Sequence, residues 1–138
     1  MKKKYLNIAL IYAIAAVICG VFYREFTKAM GFTGITMLSK VHGHLFMLGM
    51  FVYLIIAIVS VKTKLEEQKS FRIFMITYNI GLPLTAIMMV VRGITQILNS
   101  SLSAGTSAMI SGIAGIGHTL VTIGIVCMLL TMKKIAED

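Results

Sequence analysis

Charge is what this sequence has least of. Only 13% of its 138 residues are Asp, Glu, Lys or Arg, about half the share found in soluble domains. That shortfall excludes a water-soluble globule. Acids are rarer still: five Asp+Glu stand against 13 Lys+Arg, for a net charge of +8. One proline and 12 glycines exclude a Pro/Gly-rich disordered chain, and two cysteines exclude a disulfide-stapled secreted scaffold. There is no tryptophan, so Tyr5 and Tyr23 are left as the interfacial aromatics around the first apolar run. No period of 20–50 residues recurs, which excludes a solenoid. A Ser–His–acid set, a phosphate loop and zinc-finger spacing are all missing, so hydrolysis and phosphoryl transfer have no equipment here.

What is abundant is apolar: 58% of the chain. The apolar residues gather into four runs, at about 5–22, 41–61, 73–98 and 110–132. Each approaches the roughly 20 residues that cross a hydrocarbon core. The runs predict a single all-α domain over 1–138, an integral-membrane up-down-up-down four-helix bundle with short connections. Lys2, Lys3, Lys4, Lys62, Lys64, Lys69, Arg72, Lys133 and Lys134 fall on one side of such a bundle. Only Arg24, Lys28, Lys40 and Arg92 fall on the other. The positive-inside rule then puts both termini in the cytoplasm. A basic patch on a soluble protein would suggest nucleic acid, but here it marks a face toward anionic lipid.

The start of the chain also resembles a secretory signal, and Cys19 resembles a lipoprotein cysteine. Ile18 stands where lipoprotein processing needs a small residue, however, and the run exceeds a signal core. The first span is expected to be retained. Residues 23–40 read as the outer loop of interest and 99–109 as a flexible outer turn. Pro83, two residues after Gly81, predicts a kink in the third span. Asn7, Asn79, Thr77, Thr85 and Thr122 read as interhelical hydrogen-bonding groups. Arg24 and Glu25 read as an ion pair.

The chemical signal is histidine. All three lie inside spans: His42 and His44 near the start of the second, His118 about eight residues into the fourth. These spans run in the same direction, so the three imidazoles fall at similar depth. Ionisable groups there are costly and face a protein interior or cavity. Two inward imidazoles on separate helices suit axial ligation of a haem iron. With helices packed 8–10 Å apart, the diagonal of a square bundle is roughly 13 Å, near the span of two imidazoles with iron between them. The second and fourth helices are such diagonal partners.

His42 and His44 cannot both serve one iron, because two residues on a helix is about 200° of rotation. His44 shares a face with Met47, Leu48, Phe51 and Ile55; His42 shares one with Leu45, Phe46, Gly49 and Tyr53. Periodicity leaves both open, and depth favours His44. Gly115 in SGIAGIGH and Gly49 beside the histidine pair give a flat macrocycle room, though glycine equally serves close helix packing. Arg92 is the cation placed to meet haem propionates, against simple snorkelling to the interface. Copper or zinc is the rival, because HGHLFMLGM offers His42, His44, Met47 and Met50, a soft set. Cys19 and Cys127 sit at opposite ends of their spans and read as unpaired small hydrophobes.

FYREFTKAMGFTGITMLSKVHGHLFMLGM, together with the lysine-rich start and the GIGH of the fourth span, resembles a family of small four-span bacterial membrane proteins of unknown function. That family in turn resembles haem-sensing and haem-sequestering membrane proteins of the HsmA type. HGHLFMLGM also resembles, over a few residues, the low-spin-haem helix of terminal oxidases. The resemblance implies a multi-pass protein of the bacterial cytoplasmic membrane. It implies b-type haem held at positions among His42, His44 and His118, for haem tolerance or oxidative-stress defence. The expected function is haem binding for sequestration, sensing or buffering, without enzymatic turnover. Two alternatives stand beside it: a small b-type cytochrome between quinone and an outer acceptor, and a haem-free metal-binding or transport protein. The expected partners are haem and membrane lipid, with no nucleic acid; self-association stays open.

Overall fold

The computed structural model describes residues 3–99 and 101–137; Lys2 of the N-terminal basic cluster lies outside them. Four long helices account for most of the chain: α1 Lys3–Ala29, α2 Leu38–Val59, α3 Lys69–Ile97 and α4 Ala104–Glu137. A single 3₁₀ turn, Leu65–Glu67, interrupts the α2–α3 connection. At 1.5 Å per residue even α2, the shortest, reaches about 33 Å, and all four are long and apolar enough to cross a membrane. No strand occurs among the described residues.

Two helices outrun their apolar stretches at both ends. α1 continues to Ala29, so residues 23–29 are helix where a loop was expected. Arg, Glu and Lys are good helix formers, and nothing breaks the turn until Gly31. There the backbone goes left-handed, with φ of 60°, and the Phe32 N–H reaches back to the Thr27 carbonyl at 2.9 Å. This is a glycine-terminated helix end that satisfies one of the last orphan carbonyls. α4 likewise begins at Ala104, so most of the expected flexible turn at 99–109 is helical. Ser103 is the reason: its hydroxyl accepts the Thr106 N–H at 3.1 Å and starts the helix. α3 runs unbroken through Pro83.

Helices that follow one another in sequence pack together, most closely α1 with α2 and α3 with α4. α1 and α4 are not packed against each other along their length, so the arrangement is open between them. Glycines set the closest crossings. A Cβ on Gly81 of α3 would lie 2.8 Å from the Val121 nitrogen and 2.9 Å from the Gly117 carbonyl oxygen of α4. Gly93 of α3 similarly accepts the backbone of Leu38 at the start of α2. Further along, α2 and α3 are separated by large rings: Tyr53 touches Phe74 and Tyr78 at 6.2 and 6.4 Å between centroids. Tyr12 of α1 stacks on Tyr53 at 5.9 Å.

Both ends of the chain meet at one end of the bundle. The Tyr5 hydroxyl donates to Glu66 at 2.6 Å, and Lys4 pairs with the same carboxylate at 2.6 Å. Ser70 and Thr131 hydrogen-bond at 2.6 Å, bringing the last turns of α4 to the same level. Lys62, Lys64, Lys69, Arg72, Lys133 and Lys134 belong to this end, and Arg24, Lys28, Lys40 and Arg92 to the other. Arg24 does meet Glu25, at 3.7 Å, but both side chains are largely exposed, where such pairs contribute little.

Candidate functional site

At the end opposite the termini, a cavity of about 570 Å³ opens between the last turns of α3 and the first half of α4, with Met37, just ahead of α2, at its edge. Met37 and Met89 line one side, Ile110 and Ala114 the other, and Arg92, Gly115 and His118 face into it. His118 and Gly115 are exposed, so the cavity is reached from the flank of the helices. The His118 Nδ1 lies 2.8 Å from the Ala114 carbonyl, one turn back. A carbonyl oxygen only accepts, so Nδ1 carries the proton and Nε2 of the neutral ring keeps its lone pair.

Arg92 reaches across from α3 to α4. Its guanidinium donates to the Ser107 hydroxyl at 3.1 Å, the Ser107 carbonyl at 3.0 Å and the Ser111 hydroxyl at 2.7 Å. All three acceptors are neutral, and among the described residues no carboxylate pairs with it. Arg92 also borders a polar cavity of about 440 Å³ with Thr95, Gln96 and Asn99. A cation so placed keeps its charge available to an anion arriving in either cavity.

The glycines of SGIAGIGH divide by face. Gly117 is buried in the α3 crossing, where a Cβ would lie 2.6 Å from the Thr85 hydroxyl oxygen. Gly112 and Gly115 have open space where a Cβ would point. Helix packing therefore accounts for one of the three and leaves Gly115 as cavity wall.

The α2 histidines stand elsewhere. Neither lines the His118 cavity. His42 faces α1: a Cβ on Gly20 would sit 3.7 Å from its Cβ, and its buried Nδ1 has no hydrogen-bond partner among the described residues. His44 is half-buried, and its Nδ1 lies 3.0 Å from the Lys40 carbonyl, so its Nε2 is free in the same sense as that of His118. Gly49 is taken up by Tyr12 of α1, whose ring and Cβ occupy the space a side chain would need. Of the six residues singled out from sequence, His118, Arg92 and Gly115 share one cavity; His42, His44 and Gly49 do not join them.

Residues Leu45–Phe51 are π-helical. A π turn takes one residue more than an α turn and so rotates everything beyond it by about 100°. The face drawn through His44, Met47, Leu48, Phe51 and Ile55 as an ordinary helix does not continue across this segment. The Tyr78 hydroxyl of α3 donates to the Leu48 carbonyl within it, at 2.8 Å. Sequence reasoning missed this turn and the aromatic cluster behind it. Tyrosines at 5, 12, 53 and 78, all inside spans, were the available signal. It also missed Ser107 and Ser111 as partners of Arg92, legible only as hydroxyls one turn apart at the start of α4. Among the described residues no three His, Cys, Asp or Glu side chains gather as a metal centre. Both cysteines are free.

Four long apolar helices with short connections have the build of a multi-pass α-helical membrane protein. Over residues 1–135 the chain matches the model of the family described as protein of unknown function (DUF2871), and it belongs to that family. No curated protein and no solved structure matches it. The expected family of unknown function is thus found, while nothing in these comparisons speaks of haem.

Proposed function

We propose that this chain is a b-type haem-binding protein of the bacterial cytoplasmic membrane, one that sequesters or senses haem, with both termini in the cytoplasm. The observation that carries the reading is the state of His118: Nδ1 is engaged by a backbone carbonyl, and the imidazole lines a cavity it shares with an acid-free arginine. Histidines that ligate metals almost always have their other ring nitrogen held in this way. Bound haem would supply an iron that takes imidazole nitrogen and reversible one-electron chemistry.

The chain's own residues divide the remaining work. His118 offers Nε2 from α4. Arg92, steadied by Ser107 and Ser111, holds a propionate by charge-assisted hydrogen bonds. Gly115 leaves its side of the cavity flat. On α2, His44 has its Nδ1 engaged as in His118, but it does not line this cavity and His42 is packed toward α1, so the reading assigns ligation to His118. The exposure of His118 and Gly115 favours uptake and release over a permanently enclosed redox centre. The excess of basic residues at the end holding both termini supports the cytoplasmic orientation.

The test is an optical titration of the purified protein with haemin. A Soret band that saturates with added haemin, and is lost in His118→Ala, supports the reading; no band in the wild type ends it.

A further inference from the structure

The basic end carries a cavity that is separate from His118. It measures about 410 Å³ and lies between the first turn of α1 and the first two turns of α3. Its walls are apolar: Phe71, Met75 and Ile76 line it, and Ile76 is 64% exposed toward the flank of the helices. Lys4 and Arg72 stand on its rim. α1 and α3 do not pack on each other along their length, so the groove opens sideways.

We propose that this groove holds one anionic phospholipid, with the headgroup phosphate on Arg72 and an acyl chain along Phe71, Met75 and Ile76. The charge on the rim argues for it. Glu66, also on the rim, has its carboxylate engaged by Lys4 and by the Tyr5 hydroxyl, each at 2.6 Å. Arg72 has no carboxylate partner among the described residues. Among the described residues on the rim, two cations and one carboxylate leave a net positive charge beside an apolar trough, the complement of one phosphodiester with its tail. Basic pockets between membrane helices at a cytoplasmic surface bind anionic headgroups on the same principle. A zwitterionic lipid fits the trough but brings no net charge to Arg72. The inference does not rest on the haem reading.

Native mass spectrometry of the detergent-purified protein tests it, with phosphatidylglycerol and phosphatidylcholine of identical acyl chains as probes. The wild type is expected to retain one phosphatidylglycerol in preference to phosphatidylcholine. Arg72→Gln should weaken that retention about fivefold, the equivalent of about 1 kcal/mol for one basic residue at an anionic headgroup. Lys133→Gln, which removes the same charge from the same end, should leave it unchanged. Equal retention of the two lipids by the wild type, or an equal loss in both variants, overturns the site in favour of diffuse surface charge.

Discussion

The guanidinium of Arg92, on α3, lies 2.7 Å from the hydroxyl of Ser111, on α4, and the two helices are tied there without any acid. The contact joins the bundle's end opposite the termini to the cavity of His118, because both residues line it. An arginine held by neutral groups has its position fixed and its charge uncompensated, which is what an anion-binding group requires.

Arg92→Gln should therefore weaken haemin binding without altering the position of the Soret maximum. Loss of a hydrogen bond to a charged group contributes about 1.5–3 kcal/mol, or roughly a tenfold to hundredfold change in Kd. Haemin titrations of the two proteins check this. An unchanged Kd removes Arg92 from the site and leaves it a helix clamp.

Gly117 and Gly112 are five residues apart on one helix and should respond in opposite ways to alanine. At Gly117 the new methyl would lie 2.6 Å from the Thr85 hydroxyl oxygen and 3.0 Å from its backbone nitrogen. Separating α3 from α4 to admit it should cost about 1–3 kcal/mol. At Gly112 nothing stands within 4 Å, and the gain in helix propensity should stabilise by about 0.5–1 kcal/mol. Thermal unfolding in detergent, followed by circular dichroism, separates the two.

Tyr78→Phe removes the hydroxyl that donates to the Leu48 carbonyl. The change should cost about 1 kcal/mol and loosen the π segment Leu45–Phe51 while leaving the surrounding helices intact. Amide hydrogen exchange across α2 should show faster exchange within that segment. Exchange unchanged from the wild type would mean that packing alone, of Gly49 on Tyr12, holds the turn.

The sequence made the four helices legible because apolar run length is dictated by membrane thickness, a constraint that acts on composition alone. It also marked His118, Arg92 and Gly115, which the fold brings to one cavity. Helix ends were less legible. The α1 terminus at Gly31 and the α4 start at Ser103 depend on capping by single residues, and charged helix formers carry α1 well past its apolar run. The π segment was not legible at all. One extra residue per turn leaves no mark on composition, and its partners, Tyr12 and Tyr78, come from two other helices. For that reason the helical wheel through His44 and Ile55 does not continue as drawn, while the proximity of His42 to α1 follows only from the crossing at Gly20.

The two α2 histidines should behave alike. His44→Ala should leave the haemin spectrum as it is, because His44 does not line the cavity of His118. His42→Ala should leave the spectrum as it is, because His42 faces Gly20 of α1. Visible spectra of the two reconstituted variants check this, and a changed spectrum from either one would bring α2 into the site.

The most direct test of the whole account is haemin titration of wild type beside His118→Ala, read at the Soret band in detergent. Saturable binding by the wild type, with loss of the coordinated spectrum in the variant, is the predicted result. A variant that binds haemin with the wild-type spectrum and Kd would contradict it.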